Sequence, residues 1–235
     1  MTKTEAVPAL PVASRATVRL RSAWACFGDR ADGDMARDDN EGRDARLASL
    51  ASFDGLSCTW LRQVHGARVV RVSYPGQGAG EEGDALVTAE DGCALAVLSA
   101  DCAPVALASS EGVLGVAHAG WAGMLAGVIE NAVAAMRELG ATHVAALVGP
   151  CIGPECYEFG DDLLDQLAAQ LGNGVRARTT SGRPALDLPA AAAAALTRAG
   201  VDDVRSTGPC TACSPDHFSW RAGGEHQRQA TVVWR

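Results

Sequence analysis

The stretch formed by residues 61–121 decides the fold, and its second half, residues 93–121, reads CALAVLSADCAPVALASSEGVLGVAHAGW. This half contains three nearly continuous apolar runs, at residues 93–99, 105–108 and 113–117. Short runs without polar alternation are typical of central strands that are buried on both faces of a sheet. We therefore predict that these three runs form the centre of the fold.

The rest of the chain alternates short strand patterns with helical patterns. Apolar residues at helical spacing, with capping and stopping residues at the ends, predict helices at residues 43–52, 120–140, 163–171 and 187–200. Short apolar or alternating runs predict further strands at residues 17–21, 57–61, 68–73, 84–88, 144–148, 201–205 and 231–234. Residues 173–185 are expected to form a loop.

This alternation predicts an α/β (α+β) fold, with mixed β-sheets and flanking helices. We see no internal repeat and no convincing linker, so we expect a single domain over residues 16–235. Residues 1–15 are expected to be a flexible N-terminal tail.

Composition and charge argue against several classes of partner. With a net charge of −8, the protein would repel phosphate backbones, so we expect no binding to nucleic acid. No run of about 18 apolar residues is present, so we expect no membrane span. Residues 1–16 lack the apolar core of a secretory signal. The eight cysteines are therefore expected to be reduced thiols in a cytoplasmic protein.

Three candidate metal ligands end short apolar segments of the central stretch. They are His65 within RQVHG, Cys102 within SADCAP and His118 within GVAHAGW. Two imidazoles and a thiolate form the ligand set of a catalytic zinc ion whose fourth position is open to water. Taken singly, such a cysteine more often serves as a small apolar residue. The zinc hypothesis therefore requires that the three side chains converge in the fold.

Seven motifs stand in the same order as in a known bacterial family. They are RQVHG (62–66), GDALVT (83–88), ADCAP (100–104), HAGW (118–121), GPCIG (149–153), YE (157–158) and FSWR (218–221). Over about residues 57–235 the chain resembles the laccase-like or multicopper polyphenol oxidase family. This family is also known as the peptidoglycan-editing-factor family and, more recently, as purine nucleoside phosphorylases.

The resemblance implies a single-domain α/β fold with a zinc ion held by His65, Cys102 and His118. It also implies phosphorolysis of adenosine, inosine, guanosine and methylthioadenosine, together with hydrolytic deamination of adenosine. The expected partners are thus a purine nucleoside and phosphate, and we expect a monomer or a homodimer. The three ligand residues are also the expected catalytic residues.

The chain departs from the family pattern in three places. Ala122 stands where the family has the arginine of Gly-Trp-Arg-Gly. Residues 226–228 keep only the arginine of a Thr-Gly-Arg element, and residues 21–35 lack a Gly-Gly-Val-Ser-like loop. These losses bear on phosphate and substrate affinity more than on metal binding.

Several further residues are candidates for proton transfer and substrate binding. Asp101, or alternatively Asp84, is the carboxylate expected to move a proton during deamination. Arg62, Arg221 and Arg228 are the expected phosphate holders, because the guanidinium fork matches phosphate geometry. Gln63 and Asp84 complete the set of expected substrate-binding residues, whereas His226 is expected at the surface.

Other functions remain open at this point. Cys102 and His118 could form a thiolate–imidazole pair that hydrolyses an amide or ester, in keeping with the editing of cell-wall precursors. A catalytically silent nucleoside-binding protein would fit the absent arginine at Ala122. Copper is the alternative metal, but a polyphenol oxidase needs many imidazoles and the chain has five histidines.

A second metal site is also open. Cys151 and Cys156, with Cys210 and Cys213, form C-x₄-C and C-x₂-C pairs that could hold a structural zinc ion.

Overall fold

The structure is a computed structural model that describes residues 9–10, 16–37, 40–50 and 57–235. The described residues form a seven-stranded sheet, a five-stranded sheet, a small two-stranded sheet and six α-helices. This architecture confirms the predicted α/β class with mixed sheets and flanking helices.

The larger sheet is parallel at its edges and antiparallel at its centre. Across the sheet its strands are β1 (Ala9–Leu10), β13 (Asp203–Thr207), β10 (Val144–Val148), β8 (Ala103–Ser109), β9 (Leu114–Ala119), β6 (Ala85–Thr88) and β5 (Val69–Arg71). Every residue of β8, β9 and β10 is buried. The apolar runs at residues 105–108 and 113–117 are therefore central strands of this sheet, as predicted, whereas the run at residues 93–99 belongs to the other sheet.

The five-stranded sheet holds the remaining predicted strands and one that was not predicted. Across the sheet its strands are β2 (Ala16–Leu20), β3 (Ala23–Phe27), β14 (Gln229–Trp234), β7 (Ala94–Ser99) and β4 (Cys58–Trp60). Strand β3, which lies between β2 and β14, was absent from the prediction. All neighbours are antiparallel except β4 and β7, which are parallel.

Six helices in the described part of the chain flank the sheets. They are α1 (Asn40–Leu50), α2 (Trp121–Leu125), α3 (Val128–Glu138), α4 (Asp161–Leu171), α5 (Leu188–Arg198) and α6 (Trp220–Gly223). The predicted start of α5 is confirmed, because the side chain of Asp187 accepts a hydrogen bond from the Ala190 N–H at 2.9 Å. This capping bond satisfies one of the free amides of the first turn.

Two predicted elements differ from the structure. The single helix predicted over residues 120–140 is wrong in its middle, since Gly127 takes a φ of +85° and separates α2 from α3. Glycine adopts this left-handed conformation without steric cost, which ends the first helix. The loop predicted over residues 173–185 contains a hairpin of β11 (Arg176–Arg178) and β12 (Pro184–Leu186).

The elements stack in four layers. Helices α2 to α5 cover the outer face of the seven-stranded sheet, and α1 covers the outer face of the five-stranded sheet. Between the sheets, Leu86, Val116 and Leu147 from one face pack with Leu95 and Val97 from the other. Because β7 belongs to one sheet and β8 to the other, the chain crosses between the layers at residues 100–102. This crossing positions the candidate site.

Some predictions fall on residues that the structure does not describe. The tail expected over residues 1–15 lies outside the described residues except for Ala9–Leu10, which pair with β13. Residues 51–52, the end of the helix predicted over residues 43–52, also lie outside them. Within the described ranges, we find no helix with the length and apolar character needed to cross a membrane.

Candidate metal centre

The fold brings His65, Cys102 and His118 together. Their candidate ligand atoms, two imidazole nitrogens and one sulfur, all lie within 4.8 Å of one another. The two imidazole rings meet edge to face, with centroids 4.9 Å apart. The convergence that the zinc hypothesis required is therefore present.

Local backbone geometry explains how the three side chains meet. His118 lies in β9, opposite Pro104 of β8. Cys102 ends the crossing between the sheets, where Asp101 has a φ of +90°, and His65 lies in a turn with a φ of +58°. Non-glycine residues with positive φ are uncommon, and they persist where surrounding contacts hold them. The site thus depends on contacts that fix two strained turns.

Asp84 supplies the contacts that hold the His65 turn. This fully buried carboxylate accepts hydrogen bonds from the backbone N–H groups of Val64, His65 and Gly66, at 3.2, 3.0 and 2.8 Å. Its Oδ1 also lies 2.9 Å from Nδ1 of His118. A carboxylate on Nδ1 fixes the imidazole so that Nε2 is the nitrogen left to bind a metal. Asp84 therefore orients two of the three candidate ligands.

Asp101 fastens a distant loop to the same site. Its carboxylate accepts hydrogen bonds from the hydroxyls of Thr211 and Ser219 and from the N–H of Arg221, at 2.7, 2.8 and 2.7 Å. Its backbone carbonyl accepts the N–H of Ile152 at 2.9 Å. Since both carboxylate oxygens are engaged, the geometry favours a positioning role. The catalytic role that the sequence suggested for Asp101 stays a prediction.

The cluster is electrostatically coupled. Burial alone would raise the pKa of Cys102, but the neighbouring His118 and His65 outweigh it and lower that pKa to about 6. Burial would lower the pKa of His118, whereas Cys102 and Asp84 raise it to about 9. Burial likewise disfavours ionised Asp84, but hydrogen bonds from His118 and Gly66 bring its pKa below the usual range. These shifts all favour a Cys102 thiolate beside a His118 imidazolium, with Asp84 as a carboxylate.

The cluster opens into a cavity of about 630 Å³. Besides the three candidate ligands, the residues that line the cavity include Gln63, Asp101, Tyr157, Arg221 and Arg228. Cavities of a few hundred cubic ångströms are typical of small-molecule sites. The volume is thus suited to a ligand of nucleoside size.

Two of the expected substrate-binding residues lie elsewhere. Arg62 does not line the cavity; its guanidinium pairs with Glu82 at 2.5 Å and is largely exposed. Asp84 is enclosed behind His118 and has no exposed surface. Gln63 does line the cavity, but its side-chain amide forms two 2.7 Å hydrogen bonds with the backbone of Leu98. Arg221 and Arg228 are thus the expected anion holders that reach the cavity.

Aromatic residues that were not among the predicted substrate-binding residues also line the cavity. Trp121 of the HAGW motif lines the cavity, and so do Trp220 and His226. The rings of Trp220 and His226 meet edge to face with centroids 5.0 Å apart. His226 is exposed, as expected, yet it belongs to the cavity. The only sequence signal for Trp220 was its place in the FSWR motif.

The chain matches the family model described as multi-copper polyphenol oxidoreductase laccase over residues 29–235. The chain belongs to this family. The resemblance inferred from seven motifs is therefore confirmed, and the match extends it from about residue 57 back to residue 29.

Curated relatives in this laccase-like family carry phosphorylase names. Purine nucleoside phosphorylase SCO2081 from Streptomyces coelicolor is 44% identical over 191 residues, which cover 80% of this chain and 78% of that protein. Purine nucleoside phosphorylase Rv2149c from Mycobacterium tuberculosis is 38% identical over 193 residues, which cover 81% and 77%.

Solved structures share the fold of this laccase-like chain. YlmD from Geobacillus stearothermophilus aligns with a TM-score of 0.80 and 30% identity, over 91% of this chain and 92% of that one. Protein NMB0706 from Neisseria meningitidis aligns with a TM-score of 0.81 and 25% identity, over 94% and 99%.

The donor set of the laccase-like chain fits a transition metal ion. One thiolate and two imidazoles are within reach of a shared centre, and the carboxylate behind His118 supplies the outer support that such sites use. All three residues line the cavity, and a catalytic zinc ion with three protein ligands would have one position for water or substrate. The described residues therefore contain a candidate metal site on the cavity wall.

The second metal site differs from the four-cysteine set suggested by the sequence. The ligand atoms that gather are those of Cys156, Cys210 and Cys213 together with Glu155, and Cys151 is not among them. Cys151 is instead buried, and its backbone pairs with that of Cys210. The predicted set is therefore wrong in one member.

Proposed function

We propose that this member of the laccase-like family is a zinc-dependent purine nucleoside phosphorylase that also deaminates adenosine. The proposed nucleosides are adenosine, inosine, guanosine and methylthioadenosine. The names of relatives at 44% and 38% identity support the phosphorylase class. The observation that carries the proposal is one cavity that holds both the His65–Cys102–His118 cluster and the guanidinium groups of Arg221 and Arg228.

The two arginines form the proposed phosphate subsite. Nη1 of Arg228 donates to the carbonyls of Glu225 and Gln227 at 2.9 and 2.8 Å, which fixes the direction of its guanidinium group. Arg221 stacks over the ring of Tyr157 at 4.7 Å, and its Nη1 donates to the carbonyl of Glu158 at 2.9 Å. The remaining N–H groups of each fork can bind phosphate oxygens bidentately.

In phosphorolysis, a phosphate oxygen forms a bond to C1′ of the nucleoside while the C1′–N9 bond breaks. The electron pair of that bond leaves with the purine. Arg221 and Arg228 would hold the attacking phosphate against the sugar, which lowers the entropic cost of bringing the two substrates together. The aromatic walls, Trp121, Tyr157 and Trp220, offer apolar surface for the purine ring.

His65, Cys102 and His118 would hold the zinc ion. A zinc ion bound there would activate a water molecule for attack at C6 of adenosine. Asp84 keeps His118 in the required tautomer and fixes the turn that carries His65. Asp101 keeps Arg221 at the cavity through the backbone N–H of that residue.

The test is an assay of zinc-loaded protein with adenosine, in the presence and absence of phosphate, followed by separation of the products. We expect adenine only when phosphate is present, and inosine in both cases. His118→Ala should abolish both products, whereas Arg176→Gln, at a surface ion pair with Asp165, should retain them. No product from the wild type would overturn the proposal; binding without turnover would favour a silent nucleoside-binding protein.

A second candidate is supported by the charge state of Cys102. A partly buried thiolate beside an imidazolium is the arrangement that activates a cysteine nucleophile. The chain would then hydrolyse amide or ester bonds of cell-wall precursors. This function predicts activity that survives chelation but is lost on thiol alkylation, whereas the phosphorylase should lose activity under both treatments.

A further inference from the structure

A second group of metal-binding side chains lies outside the cavity. One ligand atom from each of Glu155, Cys156, Cys210 and Cys213 lies within 4.8 Å of all the others. Sγ of Cys156 is 3.1 Å from Sγ of Cys213, and the latter is 3.6 Å from Oε1 of Glu155. Three thiols and a carboxylate therefore surround one point.

Two loops build this group. One follows β10 and carries Glu155 and Cys156, and the other follows β13 and carries Cys210 and Cys213. Within the second loop, the N–H of Cys213 donates to the carbonyl of Cys210 at 3.2 Å, which folds the C-x₂-C segment into a tight turn. Both sulfurs of that turn consequently face the first loop.

Backbone contacts in the first loop complete the arrangement. The N–H of Gly153 donates to Sγ of Cys210 at 3.1 Å, so that sulfur already has one stabilising donor. A Cβ atom at Gly153 would lie 2.5 Å from both carboxylate oxygens of Glu155. The glycine therefore leaves the space into which the Glu155 carboxylate folds back over the cysteines.

We propose that Glu155, Cys156, Cys210 and Cys213 hold a second zinc ion, in a closed structural site. Four protein ligands complete the tetrahedral shell that structural zinc ions prefer, and thiolates favour zinc over magnesium or calcium. Around a tetrahedral ion with Zn–S bonds of about 2.3 Å, neighbouring sulfurs lie roughly 3.8 Å apart. Movements of less than an ångström bring Cys156 and Cys213 to that separation.

A disulfide between Cys156 and Cys213 is the main competitor. Such a bond needs a sulfur separation of about 2.05 Å, well below the 3.1 Å of the structure. A disulfide would also give no role to the thiol of Cys210 and the carboxylate of Glu155, which lie beside it. The four-ligand arrangement accounts for all four side chains, so we favour the metal.

A zinc ion at this site would cross-link two loops that carry residues of the cavity wall. Tyr157 directly follows Cys156, and the loop that carries Cys210 and Cys213 leads to Trp220 and Arg221. Asp101 ties the same loop to the sheet crossing through Thr211. A zinc ion there would therefore limit the relative movement of Tyr157 and Arg221, while taking no part in chemistry.

The test is the zinc content of protein purified with reductant and without added chelator, by mass spectrometry of the metal. We expect close to two zinc ions per chain in the wild type and close to one in both Cys213→Ser and Cys102→Ser. Cys151→Ala is the matched control, since this neighbouring thiol lies outside the group, and it should retain two. A single ion in the wild type that only Cys102→Ser removes would overturn the proposal.

X-ray absorption at the zinc edge keeps the proposal testable if one variant fails to fold. In Cys102→Ser, the remaining zinc should have a sulfur-rich shell, whereas in Cys213→Ser it should have a shell rich in imidazole nitrogen. A Cys156–Cys213 disulfide in the intact mass of the wild type, with no sulfur-rich zinc, would refute the second site. Metal content and the X-ray absorption spectrum do not depend on catalysis. A failed phosphorylase assay would therefore not contradict the proposed second zinc site.

Discussion

Asp84 and His118 form a buried carboxylate–imidazole pair, with Oδ1 2.9 Å from Nδ1. The pair joins the two halves of the candidate site, because the same carboxylate also accepts the backbone N–H groups of the turn around His65. Asp84 thus has no contact with the cavity, yet it sets the geometry of the ligands that do.

Asp84→Asn is expected to weaken zinc binding at the cavity site by about 10- to 100-fold, the usual range for loss of such an outer partner. The amide nitrogen would face N–H donors instead of accepting from them. Competition against a chromophoric chelator measures this affinity, and Asp202→Asn, at an exposed position, serves as the control. Unchanged affinity in a folded Asp84→Asn protein would show that the pair does not support the metal.

Cys102 should be alkylated by iodoacetamide in metal-free protein at a pH where ordinary thiols react slowly. Its pKa is lowered to about 6, so the reactive thiolate is present above that pH and is lost as the pH falls through it. His118→Gln removes the main stabilising cation and should move the midpoint upward by about one unit or more. Peptide mass spectrometry across pH 5 to 9 follows the reaction at this one cysteine. A wild-type midpoint near 8.5, unchanged in the variant, would contradict the coupling.

Gly120→Ala should weaken zinc binding at the cavity site, because the added methyl group would crowd two of the candidate ligands. A Cβ atom at this position would lie 2.8 Å from Sγ of Cys102 and 3.2 Å from Cδ2 of His65. Crowding of this kind costs about 1–3 kcal/mol, so we expect zinc affinity to fall by roughly 5- to 150-fold. Gly160→Ala is the matched control, because no atom lies within 4 Å of its added Cβ. Equal affinity in the two variants would mean that Cys102 is free to move away.

Arg228→Gln should raise the KM for phosphate without a comparable change in the KM for the nucleoside. Loss of one charge-assisted hydrogen bond costs about 1.5–3 kcal/mol, which corresponds to a factor of roughly 10 to 100. Steady-state kinetics with each substrate varied in turn separates the two constants. The surface variant Arg176→Gln should behave as wild type. If only the KM for the nucleoside changed, Arg228 would not be part of the phosphate subsite.

The central strands could be predicted because burial on both faces leaves a direct mark on the sequence. The apolar runs at residues 93–99, 105–108 and 113–117 became β7, β8 and β9 with small shifts of their ends. The helix break at Gly127 could not be predicted in the same way. The apolar spacing continues across it, so the periodicity gives no sign of the left-handed conformation that separates the two helices.

The order of the motifs could not predict the direction in which individual side chains point. Arg62 shares a motif with His65, but it points to Glu82 at the surface. Cysteine spacing likewise favoured Cys151 for the second metal group, whereas the fold turns Glu155 toward it. Three-dimensional proximity of the three cavity ligands followed from the crossing between two sheets, which no local pattern encodes.

The most direct test of the cavity site is an anomalous difference map at the zinc edge from crystals of zinc-loaded wild-type protein. We expect a peak within bonding distance of Sγ of Cys102, Nε2 of His118 and a ring nitrogen of His65, with the remaining side open to the cavity. No peak between these three side chains would contradict it, and the zinc-dependent phosphorylase proposal would fall with it.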